Sequence, residues 1–185
     1  LYGAIRVEDK VAVITQALCR GCGNCVNACK FGAISVANYT EDQLMAQVRE
    51  ALKEPADKII VFACNWCSYA GADFAGTSRL QYSHNTRIVK KMCSCRVSAN
   101  VVKYAFALGA PKVIVSGCHP GDCHYLENNL FTKTRIEKLK DQLESKGINP
   151  ERLMLEWVSS SEGQRFVEAI RKMEKLEVDE AEIEL

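Results

Sequence analysis

Lys58-Ile-Ile-Val-Phe-Ala-Cys64-Asn-Trp-Cys67 is the stretch that decides how the rest is read. Residues 58–63 read as a buried-type strand, Lys58 followed by a short, unbroken apolar run rich in β-branched and aromatic side chains. Outward from it the same signature returns at Arg87–Met92, Lys112–Ser116 and Arg152–Val158. Helical patterns separate these runs. Ser98–Leu108 is stopped by Gly109, Tyr125–Ser145 is stopped by Gly147, and Ser161–Leu176 opens on the capping box Ser161-Glu-Gly-Gln164. Strands alternating with helices predict an α/β fold with a parallel, Rossmann-like sheet.

The cysteines follow that pattern. Cys64 follows the first of these strands and Cys67 stands three residues on; Cys93 follows the second, Cys118 the third, and Cys123 lies five residues later. The carboxyl ends of parallel strands share one edge, and sites form there. Five cysteines from distant parts of the chain are therefore expected to collect at one edge. Four would hold a 2Fe–2S or other cluster, with one spare. Cys64, Cys93, Cys118 and Cys123 are the favoured set, and Cys67 is an equal alternative to Cys64. Helix N-termini beside Cys67 and Cys123 would help keep thiolates ionised. Cys95 would face the opposite way if its strand continued.

Other chemistries share these donors. Zinc takes the same ligands. Cys64-Asn-Trp-Cys67, between a strand and a helix, also fits a thiol–disulfide oxidoreductase. His119 and His124 each follow a cysteine, so a Cys2His2 cluster is conceivable, although the Rieske ligand order is not matched. His84 reads as a loop residue, and Trp66 and Tyr69 as packing over the site. Gly117-Cys-His-Pro-Gly121 lacks the Gly-Lys-Ser/Thr of a phosphate loop. No nucleophile–base set or useful carboxylate pair is present, so no catalytic residue is assigned.

Upstream lies a second cysteine set, Cys19-Arg-Gly-Cys22-Gly-Asn-Cys25-Val-Asn-Ala-Cys29. The spacing is that of bacterial ferredoxins and predicts a 4Fe–4S cluster. Gly21 and Gly23 permit the tight coiling it needs. In two-cluster ferredoxins the fourth cysteine of such a run serves the other cluster. Cys29 thus either completes the set of Cys19, Cys22 and Cys25 or reaches elsewhere. No second such run exists here and residue 1 is Leu, so the chain is expected to be the C-terminal part of something longer. Residues 4–14 read as a hairpin around Glu8-Asp-Lys10, and Ala33–Ala37 as another strand. Thr40-Glu41-Asp42-Gln43 is a capping box opening a helix with Leu44, Val48 and Leu52 on one stripe and Met45 beside it. Glu54-Pro55-Ala56-Asp57 marks a boundary. The expected organisation is a ferredoxin-like module at 1–55, an α/β domain at 56–178 and an acidic tail at 179–185.

The bulk properties agree. The chain has 185 residues, 48% of them hydrophobic, enough for a core. A net charge of +1 from scattered Lys and Arg argues against nucleic acid. Ten cysteines in metal-type runs, without an export signal, suggest a reducing cytoplasm.

Cys64-Asn-Trp-Cys-Ser-Tyr-Ala-Gly-Ala-Asp73, Ser78-Arg-Leu-Gln-Tyr82, Met92-Cys-Ser, Gly117-Cys-His-Pro-Gly-Asp-Cys-His-Tyr125 and Leu155-Glu-Trp157 resemble the delta subunit of methyl-viologen-reducing hydrogenase. The resemblance covers roughly Lys58–Leu176. The first 55 residues resemble the C-terminal ferredoxin segment of the flavin-binding polypeptide of heterodisulfide reductase. The resemblance implies an iron–sulfur electron-transfer module with a 4Fe–4S and a 2Fe–2S cluster. Its partners would be heterodisulfide reductase subunits and a hydrogenase or formate dehydrogenase, in a large cytoplasmic hetero-oligomer of methanogenesis. A related assembly reaches quinone through a membrane partner. It also implies FAD elsewhere in the complex, splitting electrons between a heterodisulfide and ferredoxin. A thiol–disulfide oxidoreductase using Cys64 and Cys67, or a zinc-stabilised docking protein, are the alternatives. Two residues depart from the pattern. Lys30 stands where ferredoxin runs usually have Pro, and Cys95 stands where the delta subunit has Gly.

Overall fold

A computed structural model describes residues 1–178; the acidic stretch 179–185, expected as a tail, lies outside the described residues. The chain opens with an antiparallel hairpin, β1 (Ile5–Glu8) and β2 (Val11–Ile14). Asp9 and Lys10 turn it with positive φ at both positions, the tight-hairpin geometry. The Cys19–Cys29 run follows, coiled around a five-residue helix, α1 (Asn24–Ala28).

Helix α2 (Glu41–Ala51) begins where the capping box predicts, and both reciprocal bonds between Thr40 and Gln43 are made. Its stripe of Leu44, Val48 and Leu52 is buried. Next come β3 (Ile59–Cys64), α3 (Ser68–Thr77), β4 (Thr86–Lys91), a 3-10 turn at Ser94–Arg96 and α4 (Ala99–Ala107). The chain continues through β5 (Lys112–Gly117), α5 (Asn128–Ser145), β6 (Leu153–Trp157) and α6 (Gly163–Glu174).

Strands β4, β3, β5 and β6 lie side by side in that order, every pair parallel. Every residue of β3 is buried, which is why its sequence is a continuous apolar run. Its side chains alternate between two cores. Ile60 and Phe62 meet α2, α4 and α5 through Leu44, Val48, Val101, Phe106, Ile136 and Leu139. Ile59, Val61 and Ala63 meet α3 and α6 through Ala72, Phe166, Ile170 and Met173. Each large buried apolar side chain contributes about 1.5–3 kcal/mol.

The strand order has a consequence for function. The chain leaves β3 for β4 on one side, then crosses back to β5 on the other. The order therefore reverses between β3 and β5, and the carboxyl ends of these two strands flank the crevice where α/β sheets hold ligands. Cys64 ends β3 and Cys118 follows β5 directly.

Three expectations need correction. Ala33–Ala37 is not a strand: among the described residues no partner strand lies beside it, and the N–H groups of Ala33 and Ile34 turn toward the sulfur of Cys29. Helix α5 starts at Asn128 rather than Tyr125, because the chain first turns through a Cys123–Leu126 bridge with positive φ at Leu126. The Ser161 capping box does not form. Ser161 Oγ pairs with Ser159 Oγ, 3.2 Å away, and the Glu162 carboxylate accepts from the Ser159 N–H at 2.8 Å.

Candidate metal centres

The strand-end site starts from backbone positions that the sheet fixes. Cys64 is the last residue of β3, and Cys67 stands at the N-cap of α3. The sulfurs of Cys64, Cys67 and Cys118 lie within 4.8 Å of one another, all buried. Cys123 packs against that group, and it also packs against the buried pair Cys93 and Cys95, with Cys22 beside them. The five strand-end cysteines thus form one connected set that runs on through Cys95 to Cys22.

Buried polar side chains hold this edge together. Ser68 Oγ accepts from the Cys64 N–H at 2.8 Å and donates to the Ser116 carbonyl at 3.1 Å, tying the ends of β3 and β5. Asn129 Nδ2 donates to the carbonyls of Cys118 and His119, at 3.0 and 2.9 Å. Gly117 is needed for close approach: a Cβ there would come within 2.7 Å of Ser94 Oγ. Outside the sulfurs, Trp66 stacks on His124 with ring centres 3.8 Å apart, and its indole N–H donates to the Tyr125 hydroxyl at 3.1 Å.

Electrostatics tests whether these residues suit a cluster. The Cys118, Cys67 and Cys93 thiols hold Cys64 far below the ordinary thiol range. Cys67 is pushed well up by the Cys118 and Cys64 thiols and by burial. Cys93 is pushed up likewise, chiefly by Cys123 and Cys64. A water-excluded group of thiols shares little negative charge by itself, because like charges repel in low dielectric. A bound cationic centre supplies the missing charge. Soft sulfur donors, buried and converging, fit iron–sulfur ligation.

The upstream run is built differently. Cys19, Cys22, Cys25 and Cys29 all line one cavity of about 510 Å³, walled by Tyr2, Ile5, Ile14 and Ile34. Among the described residues their sulfurs do not close into a three-thiol group as tight as that at the strand ends. Cys19 is exposed and the other three are half-buried. The N–H groups of Ala33, Phe31, Gly32 and Ile34 surround the Cys29 sulfur and hold its thiol below the ordinary range. Gly23 has φ +77°, and a Cβ there would lie 2.5 Å from Arg96 Cδ, so the run can pack on the α/β part only with glycine at this place. Four cysteines around an apolar-walled cavity, with N–H groups aimed at sulfur, fit a cluster of the ferredoxin type.

Residues 59–178 match the family described as methyl-viologen-reducing hydrogenase, delta subunit. The chain belongs to that family. Residues 12–35 match a 4Fe–4S binding domain. One relative is a subunit of the ferredoxin/F(420)H(2)-dependent CoB-CoM heterodisulfide reductase of Methanosarcina acetivorans. It is 42% identical, across 94% of this chain and 26% of its own length. The iron-sulfur subunit of the vhc F420-non-reducing hydrogenase of Methanococcus voltae is 49% identical, across 59% of this chain and 76% of its own. The corresponding polypeptide of Archaeoglobus profundus is 44% identical, across 63% and 85%. The chain therefore spans about a quarter of the heterodisulfide reductase relative and most of the hydrogenase relatives. It joins a ferredoxin-type segment to a domain of the delta-subunit family, as its resemblances imply.

Within this member of the family the histidines do not enter the sulfur groups. His119 Nε2 pairs with Glu162 Oε2 at 2.6 Å, and His124 lies on Trp66. His84 sits in the turn before β4, its carbonyl accepting from Arg87. Cys123 has no helix N-terminus beside it, since α5 begins at Asn128. Cys95 needs the largest correction. Strand β4 stops at Lys91, so Cys95 does not face the far side of the sheet; it is fully buried beside Cys93 and Cys22. Cys93-Ser-Cys95 directly after a strand was the available signal. Ser68 and Asn129 were missed as supports, because nothing in their spacing separates them from ordinary helix-start polar residues.

Proposed function

We propose that this chain is an electron relay inside a larger oxidoreductase complex. Residues 1–55 carry one part of the relay and residues 56–178 the other, with α2 of the first packed into the core of the second. Cys19, Cys22, Cys25 and Cys29 hold a 4Fe–4S cluster, and four of Cys64, Cys67, Cys93, Cys118 and Cys123 hold a 2Fe–2S cluster. Such clusters, when bound, take up and release single electrons. The chain's own residues supply thiolates, exclude water and fix the sulfur positions through Ser68 and Asn129. The observation that carries this reading is the approach of Cys64, Cys67 and Cys118 to within 4.8 Å at the switch point of the sheet.

Relatives named as parts of a heterodisulfide reductase and of hydrogenases support a place between two such enzymes. With clusters bound, electrons from a hydrogenase or formate dehydrogenase would reach the strand-end cysteines first, and the upstream run would pass them toward FAD held elsewhere in the complex, for bifurcation there. Among the described residues no helix is long and apolar enough to cross a membrane. The cytoplasm is the proposed compartment, and a membrane quinone-reducing partner is a variant of the same scheme. Thiol–disulfide exchange at Cys64 and Cys67 is disfavoured by their burial, at 1% and 5% exposure, since exchange needs an accessible thiolate.

The test is anaerobic quantitation of iron and acid-labile sulfide with EPR of the reduced chain. Two spin systems are expected, and Cys118→Ser should remove only the strand-end signal. Zinc without sulfide, or two freely alkylated thiols at Cys64 and Cys67 in metal-replete protein, would overturn the reading.

A further inference from the structure

One short turn touches both cysteine sets. Ser94–Arg96 coils directly after Cys93, and both α1 and α5 pack on it. Its central residue, Cys95, is fully buried. The Cys95 side chain shares a buried cluster with Cys93 of the strand ends, and Cys22 of the upstream run packs against that cluster. Its Sγ is also 3.7 Å from the Cys22 carbonyl oxygen.

Cys95 does not look like a ligand of either centre. Cys123 packs on the compact group of Cys64, Cys67 and Cys118, whereas Cys95 packs with Cys93 and Cys22. Cys95 is not among the residues lining the cavity of the upstream run. Yet its position is fixed from both sides. Asn27 Nδ2, from α1, donates to the Cys95 carbonyl at 2.5 Å. Arg135 Nη1, from α5, donates to the same carbonyl at 2.9 Å and to that of Val97 at 3.2 Å. The clamp holds one polarizable sulfur between two cysteines that belong to different sets.

We propose that Cys95 is a linking residue, whose sulfur closes the gap between Cys22 and Cys93 and couples the two centres without binding iron. The inference rests on the relay reading. The transfer it serves moves one electron: one centre is oxidised by one electron as the other is reduced by one, with no proton moved and no bond changed at Cys95. Coupling falls more steeply across a gap than through touching atoms. A methyl or hydroxyl group in place of the sulfur leaves such a gap, because a void in a packed interior forfeits its contacts.

The experiment uses the full chain carrying Cys95→Ala and, separately, Cys95→Ser, which keeps a polar γ atom on the turn should alanine prevent folding. Each is loaded anaerobically and given a sub-stoichiometric pulse of a one-electron reductant. Rapid-freeze EPR then follows how the electron redistributes between the two signals. Both signals should keep wild-type intensity, while redistribution, compared at the driving force set by each variant's own measured midpoint potentials, slows severalfold. An unchanged rate with both signals intact overturns the proposal. So does loss of one signal from a folded variant, which would make Cys95 a ligand. Wild-type protein with a single signal would instead sink the relay reading, before any Cys95 variant is made.

Discussion

Cys64, Cys67 and Cys118 stand where strand ends put them, whereas Cys19, Cys22, Cys25 and Cys29 stand on a coiled loop. At the strand ends, sheet hydrogen bonds, Ser68 and Asn129 fix the backbone, and the sulfurs already converge within 4.8 Å. In the upstream run, a five-residue helix and turns at Gly21, Gly23 and Gly32 carry the thiols around a cavity. The first arrangement is a by-product of folding a hydrophobic sheet. The second has few buried apolar contacts of its own: Val7 and Val11 of the hairpin are 74% and 62% exposed, and Phe31 is 93% exposed. A sheet-held site is therefore ready before its metal arrives, while a loop-held site depends on the metal for its order.

The largest expected effect breaks that symmetry directly. Stripping the metal with a chelator under reducing conditions should release residues 15–36 and leave the sheet folded. Hydrogen exchange would show it, with fast amides in the run and protected amides in β3 and β5, because local opening follows local contact density. Equal loss of protection in both regions would mean that the strand-end cysteines also depend on their metal, and the contrast would fail.

The same contrast explains what the sequence revealed. The strands were legible because β3 and β5 are buried apolar runs and β4 and β6 carry shorter apolar stretches between helical patterns, and their parallel direction brings Cys64, Cys93 and Cys118 to one edge. The order of the strands was not legible, since it depends on which faces of the helices pack on which side. With it went the switch point between β3 and β5, and the closeness of Cys67 to Cys64 and Cys118. Local patterns failed where a tertiary partner decided. Ala33–Ala37 has strand composition and no neighbour to pair with among the described residues. Ser161 has the spacing of a cap, but Glu162 caps the Ser159 N–H and meets His119 instead. The side taken by Cys95 was read only for the case that its strand continued, and β4 stops at Lys91.

Helix α2 sharpens the comparison, because it lies in the first 55 residues and yet packs on the sheet. Leu44 is fully buried in the core shared with Phe62, Val101 and Phe106. Leu44→Ala should cost about 2–5 kcal/mol of unfolding free energy. A urea titration would read this as a lower midpoint with an unchanged slope. A negligible loss would mean that α2 is not part of the sheet's core in solution.

Thr40→Ala probes the same helix with a smaller expected effect, about 0.5–2 kcal/mol, because it removes one capping partner and no apolar contact. The Thr40 hydroxyl accepts from the Gln43 N–H at 3.3 Å, and the Gln43 side chain accepts from the Thr40 N–H at 2.8 Å. The preceding residue, Tyr39, donates its hydroxyl to the Lys90 carbonyl, and its own carbonyl accepts from Arg96 Nη2 at 3.4 Å. The start of α2 is thus fastened to β4 and to the turn that carries Cys95. If α2 belongs to the sheet, the substitution lowers global stability and leaves the upstream EPR signal unchanged. A broadened upstream signal at unchanged stability would place α2 with the loop-held site, and the dividing line between the two cysteine sets would then run behind Leu52 rather than ahead of Thr40.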